Sequence, residues 1–162
     1  MHEHSGKSSR IFFKPNKILE PLHLDKSMTL LDAGCGDGYL SVAAAKKVKK
    51  VYAIDIHEES INKLKSKNIP NIEARVGDFS ILPNVDVCLL VNVLHGLIAN
   101  EEPIDELMKI KKIAVVEFKK NSIFGPSKNV KLGKEQVLDI FKGYKEIYHK
   151  NFLMHYMVVL QK

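Results

Sequence analysis

The sequence predicts an α/β domain in which helices cover both faces of a mostly parallel β-sheet. Short apolar segments with the character of strands alternate with segments of helical period through the first two thirds of the chain. Alternating strands and helices form right-handed βαβ units, and these units build parallel sheets. The 162 residues are 45% hydrophobic and 27% charged, which suits one soluble globular domain and excludes disordered and fibrous proteins.

The strands are predicted from apolar runs that turn-forming residues interrupt. The run 28–33 precedes a glycine-rich stretch, and the run 85–91 lacks polar alternation, as expected for a strand that is buried on both faces. Two extended segments separated by Asn151 are expected to form an antiparallel pair at the end of the chain. The predicted strands are 28–33, 51–55, 71–76, 85–91, 113–118, 144–150 and 152–161.

Helices are predicted where apolar residues recur every three or four positions. One follows the glycine-rich stretch, and another contains Ile61 and Leu64 and ends before Pro70. A short leading helix is expected over residues 15–22. These helices would connect the first three strands and pack on the sheet.

The second half of the chain is expected to contain two further helices. Residues 101–103 (Glu-Glu-Pro) would open the first, because acids and proline are favoured in a first turn, and its apolar face would be Ile104, Leu107 and Met108. The second spans 133–142 and ends at Gly143, with a buried stripe of Val137, Ile140 and Phe141. The segment 119–132 between them has no sustained period and is predicted to be a long loop of the kind that covers a site.

The chain is expected to form a single domain over residues 1–162, with a flexible tail over residues 1–14. Its apolar runs are far shorter than the roughly 20 residues of a membrane-spanning helix, and no signal peptide is recognisable, so a cytoplasmic location is expected. The two cysteines, Cys35 and Cys88, form no CxxC pair. Reduced thiols and no structural metal are therefore predicted.

The net charge of +6 gives two possible interpretations. A basic protein suits a nucleic-acid partner, but Arg10 and Arg75 are the only arginines, so few bidentate phosphate contacts can form. A lysine-rich solvated surface accounts for the charge equally simply. Nucleic acid is thus a possible partner but not the favoured one.

The glycine-rich stretch after the first strand is the first candidate for a ligand site. In an open parallel sheet, ligands bind at the carboxyl ends of the strands, where the strand order reverses. Gly34, Gly36 and Gly38 allow tight turns and a close approach of the backbone to a ligand. Asp32 and Asp37 flank or interrupt the glycines, so the loop suits a ligand with an ammonium and a sulfonium better than a pyrophosphate.

Two more acids follow strands at the same predicted edge. Asp55 ends the second strand, where an acid commonly accepts the hydroxyls of an adenosine ribose. Asp78 follows the third strand and is placed to reach an adenine amino group, with Phe79 or Ile56 against the ring faces. Each acid alone also suits a helix cap or a turn, but their joint order predicts an adenosine-containing ligand.

Together these motifs resemble those of the class I S-adenosylmethionine-dependent methyltransferases. LLDAGCGDG (30–38) is similar to their first motif, AIDI (53–56) to the strand with the ribose-binding acid, and GDF (77–79) to the adenine-contacting acid. VDVCLLVNVLHGL (85–97) is similar to the fourth-strand motif, and residues 141–162 resemble the last two strands of that fold. Among these enzymes, the chain is most similar to the small ubiquinone/menaquinone-biosynthesis and arsenite methyltransferases.

The resemblance implies a three-layer Rossmann-like methyltransferase fold, with a seven-stranded, mostly parallel sheet whose last strand is antiparallel. It also implies S-adenosylmethionine as the cofactor and S-adenosylhomocysteine as the product. Asp32 would lie near the methionine end, Asp55 at the ribose and Asp78 at the adenine. The residues expected at the cofactor are Asp32, Gly34, Cys35, Gly36, Gly38, Asp55, Ile56, Asp78, Phe79 and Asn92.

Two features of the chain depart from the family pattern. The Lys-Pro-Gly-Gly type of turn before the fifth strand is absent, since residues 109–112 (KIKK) run directly into Ile113. Asn92 is followed by Val93 and Leu94 rather than by the Pro-Pro-Tyr of an Asn-Pro-Pro-Tyr motif. The second departure argues against methylation of a nucleobase amine or a glutamine amide.

Methyl transfer needs a base only when the acceptor arrives protonated. His95, just beyond the fourth strand, is the best-placed candidate, and Glu117 near the end of the fifth strand is the second. The alternative roles are packing or hydrogen bonding at a helix start for His95 and an ordinary polar strand end for Glu117. His155 and Tyr156 are expected to pack in the core, and the tail histidines His2 and His4 to be solvated.

The predicted function is methyl transfer from S-adenosylmethionine to an unidentified acceptor, most simply a small molecule. Methylation of RNA or protein stays open, as does a non-catalytic module that keeps the fold and the cofactor. A nicotinamide-dependent oxidoreductase is disfavoured, because the dinucleotide fingerprint requires its third glycine at Tyr39. The oligomeric state is not predicted.

Overall fold

Seven strands form one sheet in the computed structural model, which describes residues 13–162. The strand order is β3-β2-β1-β4-β5-β7-β6, and β7 is antiparallel to both of its neighbours while the other pairs are parallel. The strands are β1 (Thr29–Ala33), β2 (Lys50–Asp55), β3 (Ile72–Val76), β4 (Val87–Val91), β5 (Lys112–Phe118), β6 (Lys145–Asn151) and β7 (His155–Gln161).

Within residues 13–162, five short helices connect or precede these strands. They are α1 (Pro15–Leu19), α2 (Tyr39–Ala45), α3 (Glu58–Lys65), α4 (Leu94–Ala99) and α5 (Lys134–Ile140), with 3-10 turns at Glu20–Leu22 and Leu107–Lys109. No helix in the described part of the chain combines the length and the apolar character that crossing a membrane requires.

The order of the strands reverses between β1 and β4. After β1 the chain builds outward through β2 and β3, and it then returns to place β4 and β5 on the other side of β1. The carboxyl ends of these five parallel strands meet at one edge, and the loops after β1 and β4 diverge there. This edge is where open α/β sheets bind ligands.

The two faces of the sheet are buried under different helices. Within β4, Cys88 and Leu90 belong to the core beneath α4 and α5, whereas Leu89 belongs to the core beneath α1 and α2. A strand with apolar residues at every position buries both faces because successive side chains alternate. This confirms the interpretation of the run 85–91 as a strand covered on both sides.

The predicted strands and most predicted helices are confirmed, with ends that differ by a few residues. The leading helix over 15–22 is α1 followed by a 3-10 turn, and the terminal antiparallel pair is β6 and β7. The segment 119–132 contains no helix or strand, as expected for a long loop.

The helix predicted to begin at residues 101–103 is wrong. Helix α4 instead begins at Leu94 and ends before Glu101, whose φ of 54° is left-handed and interrupts helical geometry. Leu94 and Leu97 supply the buried stripe, and the apolar residues after Pro103 pack in an irregular segment with one 3-10 turn. The helix-start preferences of residues 101–103 are weak. Burial of Leu94 and Leu97 in the core places the helix directly after β4 instead.

The tail predicted over residues 1–14 includes Phe13, the first residue that the structure describes. Phe13 is 4% exposed, and its ring packs edge-on against Phe152 and His155 at centroid distances of 5.0 and 4.7 Å. Burial of an aromatic ring in this way holds the chain against β7. The candidate histidines His2 and His4 lie outside the described residues.

Candidate active site

The glycine-rich loop after β1 adopts a conformation that needs glycine. Gly34, Gly36 and Gly38 have φ values of 74°, 54° and 83°, a region that L-residues with a Cβ rarely occupy. A Cβ on Gly34 would lie 2.4 Å from Val93 Cγ2, and one on Gly38 would lie 2.3 Å from Leu64 Cδ1. The loop therefore presents bare backbone at the carboxyl edge of the sheet.

Asp55 holds this loop in place. Its carboxylate is 3% exposed, and Oδ2 accepts a hydrogen bond of 2.7 Å from the Gly36 backbone N–H. Oδ1 lies 2.8 Å from His57 Nδ1 and accepts a 2.9 Å bond from the His57 N–H. Asp55, the acid predicted to bind a ribose, is thus hydrogen-bonded to the glycine-rich loop. One of its oxygens also contacts His57, a half-exposed residue that the sequence motifs do not include.

Asp32 is a buried carboxylate on the same face of the sheet as Asp55. It is 3% exposed, and its Oδ2 accepts a 2.5 Å hydrogen bond from Ser41 Oγ on α2. Burial raises the pKa of Asp32 from 3.8 to about 6; the nearby charge of Asp55 adds to this effect, and the Ser41 bond opposes it. A desolvated carboxylate beside a ligand loop is a candidate partner for a cationic group.

Asn92 carries an unsatisfied amide at the end of β4. Its backbone has φ 57° and its N–H donates to the Val116 carbonyl at 2.8 Å. The side-chain Oδ1 and Nδ2 are buried, and neither has a hydrogen-bond partner within residues 13–162. Because a buried amide without partners is costly, these atoms make Asn92 a candidate contact for a polar group of a ligand.

The edge beyond β2 and β3 carries both acidic and apolar groups. Asp78 is exposed and accepts bonds from the Ser80 hydroxyl (2.5 Å) and N–H (3.0 Å), which lower the pKa of its carboxyl. The Gly77 N–H donates to the Asp55 carbonyl at 3.0 Å, so Asp78 lies close to the end of β2. Ile56 is 65% exposed, whereas Phe79 is 7% exposed and packs in the core. Of the two predicted ring contacts, Ile56 is therefore the accessible one.

Cys35 contributes to the loop through its backbone. Its N–H donates to the Ile54 carbonyl at 3.1 Å, and its Sγ donates to the Gly36 carbonyl at 3.4 Å. The side chain packs against Ile61 and Leu64 of α3. Burial raises the pKa of the Cys35 thiol, which makes it a packing residue rather than a nucleophile.

His95 and Glu117, predicted separately as candidate bases, are in direct contact. Glu117 is 1% exposed; its Oε2 lies 2.7 Å from His95 Nδ1, and its Oε1 accepts a 3.1 Å bond from the His95 backbone N–H. Pairing of β4 with β5 brings the start of α4 beside the end of β5. No local sequence pattern predicts this contact, because the two residues are 22 positions apart.

The two polar residues of β7 lie in the core on opposite faces. His155 packs against the rings of Phe13 and Phe118, and burial lowers the pKa of its imidazole to about 4. The Tyr156 hydroxyl donates to the Leu132 carbonyl at 2.9 Å. Both residues therefore have packing roles, as expected for the interior of a central strand.

The loop 119–132 is fixed by a buried lysine. Lys131 is 5% exposed and its Nζ donates to the Ser122 carbonyl at 2.5 Å. The bond closes the loop on itself, and Ile123 and Phe124 are left 84% and 48% exposed. The loop that follows β5 in the chain thus exposes two apolar side chains. Within the described residues, no group of three or more His, Cys, Asp or Glu side chains is placed to hold a metal ion.

Comparison with known proteins identifies methyltransferases. A family model described as "Methyltransferase domain" matches residues 24–143. A Methanococcus maripaludis protein named "Probable cobalt-precorrin-6B C(15)-methyltransferase (decarboxylating)" is 38% identical over 99 residues, which are 59% of this chain and 54% of that protein. A Bacillus cereus protein named "Uncharacterized RNA methyltransferase" is 35% identical over 88 residues, 46% of this chain and 19% of that protein.

The fold is shared with a crystal structure of a SAM dependent methyltransferase from Aquifex aeolicus. The TM-score is 0.80 at 24% identity, and the alignment covers 96% of this chain and 93% of that chain. The chain spans about half the length of the precorrin relative and much less of the RNA relative.

These findings confirm the predicted methyltransferase class and the seven-stranded fold. They do not identify the subgroup of ubiquinone/menaquinone-biosynthesis and arsenite methyltransferases that the motifs predict. The family model covers well over half of the chain. The chain belongs to the methyltransferase domain family.

Proposed function

We propose that this chain transfers a methyl group from S-adenosylmethionine to a small-molecule acceptor. The observation that carries the proposal is the unsatisfied Asn92 amide beside the glycine loop, together with the buried carboxylates of Asp32 and Asp55. A ligand with an ammonium, a carboxylate and ribose hydroxyls offers a partner to each of these groups. The bound cofactor supplies a methyl carbon that its sulfonium has already activated.

Each part of the cofactor has a candidate contact in the chain. Asp55 would accept the ribose hydroxyls, in place of or beside its contact with His57. Asp78 and Ile56 would contact the adenine, Asp78 through its carboxylate and Ile56 through its apolar side chain. Asp32 and Asn92 would bind the amino-acid end, where the negative charge of Asp32 complements an ammonium.

The small-molecule acceptor is favoured by the surface around the site. The relatives include a precorrin methyltransferase and an RNA methyltransferase by name, so both acceptor classes have precedent. Arg75, the one arginine among the described residues, donates to the Ile81 carbonyl. The loop beyond β5 exposes the apolar Ile123 and Phe124, which suits an apolar small molecule better than a phosphate backbone.

Calorimetric titration with S-adenosylhomocysteine tests the cofactor assignment. Asp55→Ala is expected to weaken binding about 5- to 150-fold, since losing a charged hydrogen-bond partner costs about 1–3 kcal/mol. Asp105→Ala, at an exposed residue outside the carboxyl edge, is the matched control and should bind like the parent protein. Circular dichroism checks that both variants stay folded.

The outcomes separate the competing functions. Binding of S-adenosylhomocysteine and not NADH supports the proposal, and equal affinity of the Asp55→Ala variant would refute the assigned cofactor site. Incubation with labelled S-adenosylmethionine and either small-molecule extracts or total RNA then distinguishes the acceptor classes. Cofactor binding without methyl transfer to either would favour the non-catalytic module.

A further inference from the structure

We propose that His95 is a general base that removes the proton from a neutral hydroxyl group of the acceptor, a phenol or an enol, and that Glu117 positions it. This inference rests on the proposed function and specifies the chemical class of its acceptor. His95 would contact the substrate, and Glu117 would act by holding His95 in position.

The contact between the two residues fixes the imidazole at two points. Glu117 accepts from the His95 backbone N–H with one oxygen and lies 2.7 Å from Nδ1 with the other. Glu117 is the penultimate residue of β5, and His95 is in the first turn of α4. Because a central strand and a packed helix hold the two groups, the ring has little freedom to rotate away.

Glu117 has no cationic partner other than His95 in the part of the chain that the structure describes. Its side chain is 1% exposed, and a buried carboxylate without a paired cation is costly. Tyr156 lies opposite it in the β5–β7 ladder but donates its hydroxyl proton to Leu132. Glu117 is therefore placed to stabilise the imidazolium that forms when His95 accepts a proton at Nε2.

The hydrogen bond also determines which nitrogen can act as the base. An ionised carboxylate only accepts hydrogen bonds, so Nδ1 carries the proton in the neutral imidazole and Nε2 has the free lone pair. No described residue hydrogen-bonds to Nε2, and the His95 side chain is 15% exposed. Nε2 is thus available at the same edge as Asn92, three positions earlier in the chain.

In the proposed step, the acceptor oxygen loses its proton as it attacks the methyl carbon. The acceptor O–H bond breaks and its proton moves to His95 Nε2, while the oxygen electron pair forms the new bond to the methyl carbon. The carbon–sulfur bond breaks, and its electron pair stays on sulfur as the thioether of S-adenosylhomocysteine. The imidazolium that forms is paired with the Glu117 carboxylate, so no unpaired charge is left in the site.

A hydroxyl on an apolar ring fits this base better than other nucleophiles. Carboxylates are already ionised at neutral pH and need no base, whereas a phenol with a pKa of about 10 is almost wholly protonated. Ile123 and Phe124, exposed in the loop that follows β5, are candidate apolar contacts for such a ring. An amine acceptor is the alternative that the experiment distinguishes.

The test compares acceptors of different acidity in variants of the two residues. The probes are catechol, 4-nitrophenol, benzoate and benzylamine with labelled S-adenosylmethionine. His95→Gln is expected to reduce the turnover of catechol about 10²- to 10⁴-fold, the usual contribution of a general base, and to affect the more acidic 4-nitrophenol much less. The catechol rate in this variant should rise with pH as the acceptor ionises.

Glu117→Gln is expected to show the same dependence on acceptor acidity with a smaller loss, because Gln keeps the position but not the charge. His149→Gln and Glu135→Gln, at exposed residues of β6 and α5, are the matched controls and should resemble the parent protein. Affinity for S-adenosylhomocysteine should stay within about twofold in every variant. A purely structural role would reduce all acceptors equally.

A second readout does not depend on activity. Nitrogen-15 NMR of the histidine rings is expected to show His95 with a protonated Nδ1 and an unprotonated Nε2, and Glu117→Gln should alter that signal. A protonated Nε2 in the neutral ring would overturn the proposal. So would methylation of only the amine or the carboxylate, methylation of no probe, or equal losses for all acceptors. Failure of the parent protein to bind S-adenosylhomocysteine would instead refute the proposed function itself.

Discussion

Asp32→Asn is expected to make the protein more stable at pH 7 and to weaken its binding of S-adenosylhomocysteine. The Asp32 carboxylate is buried, and burial raises its pKa from 3.8 to about 6. That difference corresponds to about 3 kcal/mol of free energy that the ionised group costs the folded state. Asparagine keeps an oxygen that can accept the Ser41 hydrogen bond without the charge, so a gain of about 1–3 kcal/mol is expected.

The pH dependence of this gain follows from the direction of the pKa shift. Because the folded protein binds the Asp32 proton more tightly than the unfolded chain, this residue favours folding most at low pH. Its contribution declines as pH rises from about 4 to about 6 and is constant above that range. Asparagine does not titrate, so the stability difference between variant and parent should grow over the same interval.

Urea unfolding at pH 4, 5, 6 and 7 measures this effect, with Asp105→Asn at an exposed site as the control. Calorimetry at pH 7 measures the second part, where the loss of negative charge should reduce affinity about 5- to 150-fold. A stability difference that does not change with pH would show that Asp32 is not desolvated as described. Unchanged affinity would remove it from the ligand site.

Gly34→Ala is expected to destabilise the protein by about 2–5 kcal/mol and to impair ligand binding. The residue has φ 74°, where a Cβ costs about 1–2 kcal/mol. The new methyl would lie 2.4 Å from Val93 Cγ2, and overpacking of this kind costs about 1–3 kcal/mol more. Because the same loop belongs to the proposed cofactor site, any shift that relieves the clash should also distort that site.

Gly77→Ala is the matched control, since no atom lies within 4 Å of its added Cβ and its φ is outside the left-handed region. It should change stability by less than about 0.5 kcal/mol. The double variant Gly34→Ala/Val93→Ala removes the clash but not the backbone strain, so it separates the two contributions. If both glycine variants unfolded at the same urea concentration, the conformation of the loop would have to differ from that described.

The central strands were predictable because both of their faces are covered. Apolar runs such as 85–91 are long enough to fill both cores and are bounded by turn residues, so their positions follow from local patterning. Gly34, Gly36 and Gly38 were also identifiable, because their backbone geometry admits few other residues. The order of Asp32, Asp55 and Asp78 along the chain placed all three at one edge.

The helix after β4 was not predictable from the same rules. The sequence 101–103 has favourable first-turn residues, yet the helix lies at Leu94–Ala99, about two turns earlier. Tertiary packing decided this, because Leu94 and Leu97 fill the core beside β5. Weak local preferences lose to the burial of large apolar side chains.

The amino-acid sequence by itself determined the fold class, the methyltransferase family and the edge of the sheet where the proposed site lies. These depend on periodicity and on glycines and acids at fixed positions, which are local properties of the chain. The tertiary structure alone decided which polar groups meet: Asp55 with Gly36, Asp32 with Ser41, and His95 with Glu117. The last contact depends on strand pairing, and hydrogen bonds between residues far apart in the chain form only when the sheet has brought their strands together.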